Sequence, residues 1–446
     1  MRGSKALWAI LILAFVLRAA VGLSLDAAQP YVEIGGDSAW YLANGYSLVT
    51  GEQPASGILT KPETLEQPPI YFLFIGIPQA LFSPETAIIV IRLLQALVST
   101  AVVYFAYRMA FLIGGRGAGL TAAAITAIAP ALVLEAAQIK TETLYIFFLT
   151  GGIWALVEGI SRSKRGTGET AAWGKYAVWW GVAGDFFALA ALTRAVFVAF
   201  PLLAALILIL IFGWRMGWRK ALFVGMAYLS IMLVWTAYNL AANQRLIFGG
   251  YGLMSFVYHG AAGWDGNTEA DEQLGITGAE GENASAIIAN AAQDAILSDI
   301  PAYLRHRVSE LTGAILQPHA TEYFGGESLK NLLAQWLQAD RSASGLAALL
   351  SADAFWPKLA LYVFHFGAFL FGAIGLLTAR QQWRLWLPLV AFIAYTLAVH
   401  FVLYALPRYL FPMLPLWWAL AGVGLAACWK ALTRARFPRE ENISTL

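Results

Sequence analysis

Apolar residues run along this chain in long unbroken stretches. They do not form the alternating or 3.6-residue stripes of a fold that faces water on one side. A bilayer core about 30 Å thick is crossed by about 20 apolar residues in a helix. Ten runs of roughly that length fall at 7–25, 86–106, 118–137, 144–160, 176–192, 196–212, 222–240, 359–377, 385–405 and 410–429. They predict about ten membrane-spanning helices. An eleventh run, 70–82, is fenced by Pro68, Pro69 and Pro84. It makes only about 20 Å of helix.

Charge decides how to treat that short run. Counted as a span, it inverts every later loop. Counted as an interfacial or re-entrant helix, it gathers the basic residues on one side. Those are Arg2 and Lys5; Arg108 and Arg116; Arg162, Lys164, Arg165 and Lys175; Arg215, Arg219 and Lys220; Arg380 and Arg384; and Lys430, Arg434, Arg436 and Arg439. Cytoplasmic loops carry this excess. Both termini are therefore expected in the cytoplasm. The first outer segment is acidic: Asp26, Glu33, Asp37, Glu52, Glu63 and Glu66 stand against Lys61.

The expected organisation follows. Residues 1–25 form the first span, 26–85 an outer loop with juxtamembrane helices, and 86–240 spans two to seven. Residues 241–357 form a long outer segment, 358–429 the last three spans, and 430–446 a basic cytoplasmic tail. Arg2 and Lys5 before an apolar stretch also fit a signal peptide. Removing that helix breaks the orientation count, so it is read as an uncleaved span. Within the long outer segment, 263–282 is acidic and Gly-rich and reads as loop. The stretch 284–316 reads as amphipathic helix interrupted at Pro301.

Composition agrees with the pattern. Of 446 residues, 59% are hydrophobic and 13% charged, and the mean hydropathy is +0.63. Soluble chains are about 45–50% apolar and about 25% charged. A cytosolic enzyme, a disordered protein and a nucleic-acid binder are excluded. The net charge of +2 identifies no partner. The single cysteine, Cys428, permits no intramolecular disulfide and no thiolate zinc site. His259, His306, His319, His365 and His400 show no metal-ligand spacing. No P-loop or Rossmann glycine pattern is present. No metal or cofactor is expected.

Candidate chemistry sits on the outer side. Asp37 follows Gly35 and Gly36 and precedes Trp40, Tyr41, Leu42, Tyr46 and Leu48 at roughly helical spacing. It starts a short helix, and its carboxylate is either an N-cap or a general base at the membrane surface. Glu142, Arg194 and Arg408 fall on the same side by the charge argument, as does Glu66. An arginine there either snorkels to the interface or grips an anion. Asp185 lies mid-membrane, where a carboxylate is costly. Glu135 is expected near the outer end of its span, facing a polar cavity. Asn283, Ala284 and Ser285 match a glycosylation acceptor, a short pattern common by chance.

Several stretches taken together resemble a known family. Gly36 and Asp37, with Tyr41, Ala43 and Gly51 following, resemble the first outer loop of the GT-C membrane glycosyltransferases, in particular the protein O-mannosyltransferase and aminoarabinose-transferase (ArnT-like) group. Glu66-Gln67-Pro68-Pro69-Ile70-Tyr71 resembles that group's acidic-Lys-Pro-Pro-x-Tyr stretch. Lys140-Thr141-Glu142-Thr143-Leu144 matches the place of its second acidic residue. Ala191-Leu192-Thr193-Arg194 resembles its Leu-Thr-Arg turn, and Arg408-Tyr409-Leu410-Phe411-Pro412-Met413-Leu414-Pro415 its Arg-Tyr-x-x-Pro-x-x-Pro helix start. The lysine before Pro-Pro is Gln67 here, and Lys61 is the nearby replacement.

The resemblance implies an all-α polytopic bundle and a glycosyltransferase. The donor would be a polyprenyl-phosphate sugar, and the acceptor a hydroxyl on a protein, lipid or glycan. Asp37 would be the general base, with Glu66 and Glu142 orienting acceptor or sugar. Lys61, Tyr71, Arg194, Arg408 and Tyr409 would contact the donor, and His259 is a further substrate-binding candidate. Two other readings stand beside it. An oligosaccharide ligase or polymerase would lean on basic residues in the long outer segment, where His259, Arg305, His306 and Arg307 lie. A transporter of lipid-linked sugars would show paired repeats and midplane polar sites, and no repeat stands out.

Overall fold

A computed structural model describes residues 2–25, 37–54, 67–165, 171–250, 253–262, 282–338 and 341–436. Among them there is no strand. The chain is an all-α polytopic membrane protein. In chain order the helices are α1 (Arg2–Ser24), α2 (Asp37–Thr50), α3 (Ile70–Leu81), α4 (Pro84–Ile128), α5 (Pro130–Glu135), α6 (Glu142–Arg165) and α7 (Ala171–Ala191). Then come α8 (Phe200–Phe212), α9 (Trp214–Asn243), α10 (Leu253–Ala262), α11 (Glu282–Ser298) and α12 (Ile300–Leu316). The last are α13 (Leu329–Gln338), α14 (Ala343–Leu350), α15 (Phe355–Thr378), α16 (Trp383–Val402) and α17 (Leu414–Arg436), with a helical turn Pro407–Leu410 before α17.

Eight of the described helices are long and apolar enough to cross a membrane. One of them is α4, whose 45 residues would make about 68 Å if straight, twice a bilayer core. It is not straight. Gly115 takes φ 82°, a conformation that suits glycine. Beyond it the chain doubles back: a Cβ on Gly119 would lie 3.0 Å from the side chains of both Tyr107 and Phe111. In one continuous helix those positions would be roughly 18 Å and 12 Å away. So α4 is a hairpin of two arms. Counting both arms, and adding the shorter apolar stretch Ala177–Ala191 of α7, gives the ten runs read from the sequence.

The hairpin's second arm ends at Ile128, where Pro130 supplies no N–H to continue the ladder. Two of its last carbonyls are taken by a side chain instead. Arg18, fully buried in α1, donates to Ala127 O at 2.9 Å and Thr126 O at 3.1 Å. It also donates to Ala14 O and to Ser99 Oγ. A buried arginine thus pins α1 to both arms.

The short run after Pro69 forms α3, 12 residues or about 18 Å. It packs along α2. A Cβ on Gly76 would stand 2.1 Å from Gly45 O, so the two backbones touch. The Ile70 N–H donates to Leu192 O, and the Tyr71 hydroxyl to Gln95. These bonds tie the α2–α3 pair to one end of the bundle.

The long segment after α9 covers the same end. Its 284–316 stretch is two helices, with Asp299 accepting from the Ala302 N–H and Pro301 in the first turn of α12. Arg307 is fully buried and donates to Gly260 O, His400 O, Phe401 O and Leu403 O. It also forms a two-point pair with Glu310, which accepts from the Ala405 N–H. The stretch 263–281, most of the expected Gly-rich loop, lies outside the described residues.

Candidate active site

Four parts of the chain meet at that end of the bundle and contribute to one cluster: the start of α2, the α5–α6 turn, the α7–α8 turn, and the turn between α16 and α17. Asp37 is the first residue of α2, held beside the α5–α6 turn by Ser38, whose hydroxyl donates to Ile139 O at 2.9 Å. Gln95 fixes that turn by donating to Ala136 O and Gln138 O. Glu142 opens α6. Arg194 lies in the extended link after α7, and Arg408 in the Pro407–Leu410 turn.

The four charges pair. Arg408 Nη2 donates to Asp37 Oδ2 at 2.8 Å, and Arg194 Nη1 to Glu142 Oε1 at 2.9 Å. Arg408 Nε lies 3.5 Å from the same Glu142 oxygen. The Glu142 side chain is 1% exposed and the Asp37 side chain 36%. Tyr409 organises the cations: both guanidiniums stand 5.3 Å from its ring, and His400 stacks on it at 5.5 Å. Tyr145 lies 5.8 Å from the Arg194 guanidinium. Burial works against the Arg194 charge, but Glu142, together with Tyr409 and Tyr41, outweighs it and holds its pKa above the ordinary value. Burial, and then the charge of Glu142, push the Tyr41 phenol well up. Tyr41 is therefore a hydrogen-bond donor at neutral pH.

A cavity of about 200 Å³ opens beside the cluster. Its walls are mostly apolar and aromatic: Trp40 and Tyr41 of α2, Tyr71 and Phe72 of α3, Phe256 of α10, and Tyr409. Thr141, Thr193, Arg194 and His400 supply the polar edge. An apolar pocket with a few convergent polar groups is the usual form of a ligand site.

The structure brings Asp37, Glu142, Arg194 and Arg408 together. Tyr71 and Tyr409 line the adjoining cavity. Lys61 and Glu66 lie outside the described residues. His259 is buried and does not line the cavity, although Phe256 on the same helix does. Arg194 and Arg408 are engaged by carboxylates rather than only snorkelling. Glu135 needs correction. It does not face an open polar cavity: it is 1% exposed, with His319 Nε2 at 2.8 Å and the Tyr323 hydroxyl donating at 2.7 Å. There it docks the 318–323 turn onto the bundle. Among the described residues, no group of three or more His, Cys, Asp or Glu is placed to hold a metal ion. Sequence reasoning missed Trp40, Phe72 and Phe256 as cavity walls. Their only signal is an aromatic residue within the first four residues of each of the helices α2, α3 and α10.

No family profile matches the chain, and no curated protein matches it. Solved structures do. One is the archaeal oligosaccharyltransferase AglB from Archaeoglobus fulgidus, in complex with an inhibitory peptide and a dolichol-phosphate. It is 13% identical with a TM-score of 0.54, covering 100% of this chain and 53% of that one. The apo form of the Archaeoglobus fulgidus oligosaccharyltransferase gives 11% identity and a TM-score of 0.53, covering 98% and 52%. A weaker likeness, to ArnT from Cupriavidus metallidurans in the apo state, has 14% identity, 98% and 80% coverage and a TM-score of 0.42. Nothing further rests on that one. The chain spans about half the length of the oligosaccharyltransferases it matches. The likeness shows the fold alone: the chain shares the all-α membrane bundle of these oligosaccharyltransferases, the architecture that the sequence resemblance implied.

Proposed function

We propose that this chain is a membrane glycosyltransferase that takes a sugar from a polyprenyl-phosphate donor to an acceptor hydroxyl on the outer face. The observation that carries the reading is the cluster of Asp37, Glu142, Arg194 and Arg408 beside an aromatic cavity at one end of the bundle. Two arginines suit a leaving phosphate, because the guanidinium fork matches phosphate oxygens in pairs. The aromatic walls suit the apolar faces of a sugar ring and the first isoprene units. The charge pattern of the loops supports the outer face.

In this mechanism the acceptor oxygen attacks the anomeric carbon from the side opposite the phosphate. The new C–O bond forms as the bond from carbon to phosphate oxygen breaks. The phosphate leaves with that electron pair, and Arg408 and Arg194 stabilise its growing charge. The acceptor proton passes to Asp37. The configuration inverts. Glu142 keeps Arg194 in place. Glu66 stays a candidate for orienting the acceptor, and Lys61 for donor contact. A lipid-linked oligosaccharide donor is the second reading, favoured by the fold's likeness to oligosaccharyltransferases. A cavity of about 200 Å³ favours a single sugar, since pockets for drug-sized ligands run about 300–1,000 Å³.

Asp37→Asn tests the role of the base. Asparagine still accepts a hydrogen bond but takes no proton at neutral pH. Turnover is expected to fall about 10²-fold or more, with the protein inserted and monodisperse. Full transfer activity in that variant removes Asp37 from the mechanism.

A further inference from the structure

The ion pairs of the site raise a question of order: Asp37, the proposed base, is held by Arg408, a proposed phosphate ligand. We propose that the Asp37 carboxylate occupies, in the ligand-free chain, the guanidinium edge that the donor phosphate takes, so that donor binding is what frees the base. The inference rests on the function proposed above and adds a binding order to it: donor first, acceptor second.

Three observations support it. The first is charge balance. Two arginines face two carboxylates, and all four groups interact. Lys140 also acts on Glu142 from nearby, but an added phosphate still brings more negative charge to the Arg408 edge than that edge holds together with Asp37. The second is burial, which decides which one yields. Glu142 is 1% exposed and bonded to Arg194, so its release into a dry interior is costly. Asp37 is 36% exposed at the start of a helix, and water can take it. An ion pair with a partner this exposed contributes little.

The third is the geometry of the Arg408 fork. Nε and Nη2 form one edge of the guanidinium. Nη2 bonds Asp37 at 2.8 Å. Nε is buried with no hydrogen-bond partner, and its nearest carboxylate, Glu142, stands 3.5 Å off, too far for a sound bond. The edge is thus split between two carboxylates and half satisfied. Two oxygens of one phosphate satisfy it fully.

The consequence is functional. While Arg408 holds Asp37, the carboxylate oxygen is engaged by the guanidinium and the acceptor is not activated. When phosphate takes the arginine, Asp37 becomes a free carboxylate within reach of the acceptor. Activation without a donor in place is suppressed.

A binding cycle tests this. Undecaprenyl phosphate binding is measured by native mass spectrometry in phosphatidylcholine nanodiscs for the parent, Asp37→Asn, Arg408→Gln and the double variant. Asp37→Asn is expected to bind about three- to tenfold tighter, because the internal competitor is weakened. In the Arg408→Gln background the same change should do nothing, whether binding there is weak or undetectable. Unchanged or weaker binding by Asp37→Asn overturns the proposal. So does equal tightening in the Arg408→Gln background, which would show only relief of repulsion. The transfer assay keeps the two readings apart. Lost transfer with unchanged affinity sinks the competition alone, whereas full transfer sinks the role of Asp37 as base.

Discussion

Arg194 and Glu142 form an asymmetric pair, and the asymmetry predicts which half is dangerous to remove. Arg194→Ala leaves the Glu142 carboxylate 1% exposed. Its remaining support is Arg408 Nε at 3.5 Å, a 3.3 Å bond from the Thr141 hydroxyl, its own backbone N–H and the charge of Lys140 nearby. Breaking a buried pair from one side typically costs about 3–5 kcal/mol. Arg408 supplies part of the lost charge, so about 3 kcal/mol is expected. Glu142→Gln leaves Arg194 instead, which is 18% exposed, lines the cavity and stands over two tyrosine rings. Cavity water can hydrate it, and the loss should be about 1 kcal/mol. The double variant, Arg194→Ala with Glu142→Gln, buries no lone charge and should be more stable than Arg194→Ala alone. Thermal unfolding in detergent, followed by fluorescence-detected size exclusion, ranks the four proteins. Glu142→Gln melting below Arg194→Ala refutes the argument. So does a double variant whose loss equals the sum of the two singles.

Two more predictions concern topology and packing. With Cys428 replaced by alanine, Ser83→Cys at the end of α3 should react with an impermeant thiol reagent from the outer side; labelling only from the cytoplasm removes the non-spanning assignment of α3. Arg18→Leu should destabilise the fold by about 2–4 kcal/mol, because two hairpin carbonyls and Ser99 lose their donor; a melting temperature equal to the parent's would mean those carbonyls find another partner.

The spans were legible because a bilayer imposes a length and a polarity on every crossing. The α4 hairpin was legible too, since two apolar runs flank Gly114, Gly115, Arg116 and Gly117, a stretch no single crossing tolerates. Less visible were the cations whose partners are backbone carbonyls. Arg18 in the first run and Arg307 in the outer segment look like an awkward charge and a surface charge. Both are fully buried because they satisfy carbonyls that end other helices. Nothing in the spacing of side chains encodes a carbonyl left without an N–H. Pro130 is a local hint for Arg18, and no comparable hint exists for Arg307.

The site was half legible for a related reason. Loop charges and the five short motifs placed Asp37, Glu142, Arg194 and Arg408 on one side, which is a statement about membrane sidedness. Pairing is a statement about distance, and the pairs join residues 371 and 52 positions apart. Sidedness alone would let the arginines stand free for a ligand. The pairing changes the chemistry. A site with two free arginines would bind any anion near the membrane. A site whose arginines already hold carboxylates binds only an anion that competes well, and a phosphate able to satisfy both Arg408 edge nitrogens is such an anion. Under the proposed function, selectivity for a lipid phosphate would come as much from the internal carboxylates that must be displaced as from the cations that attract it.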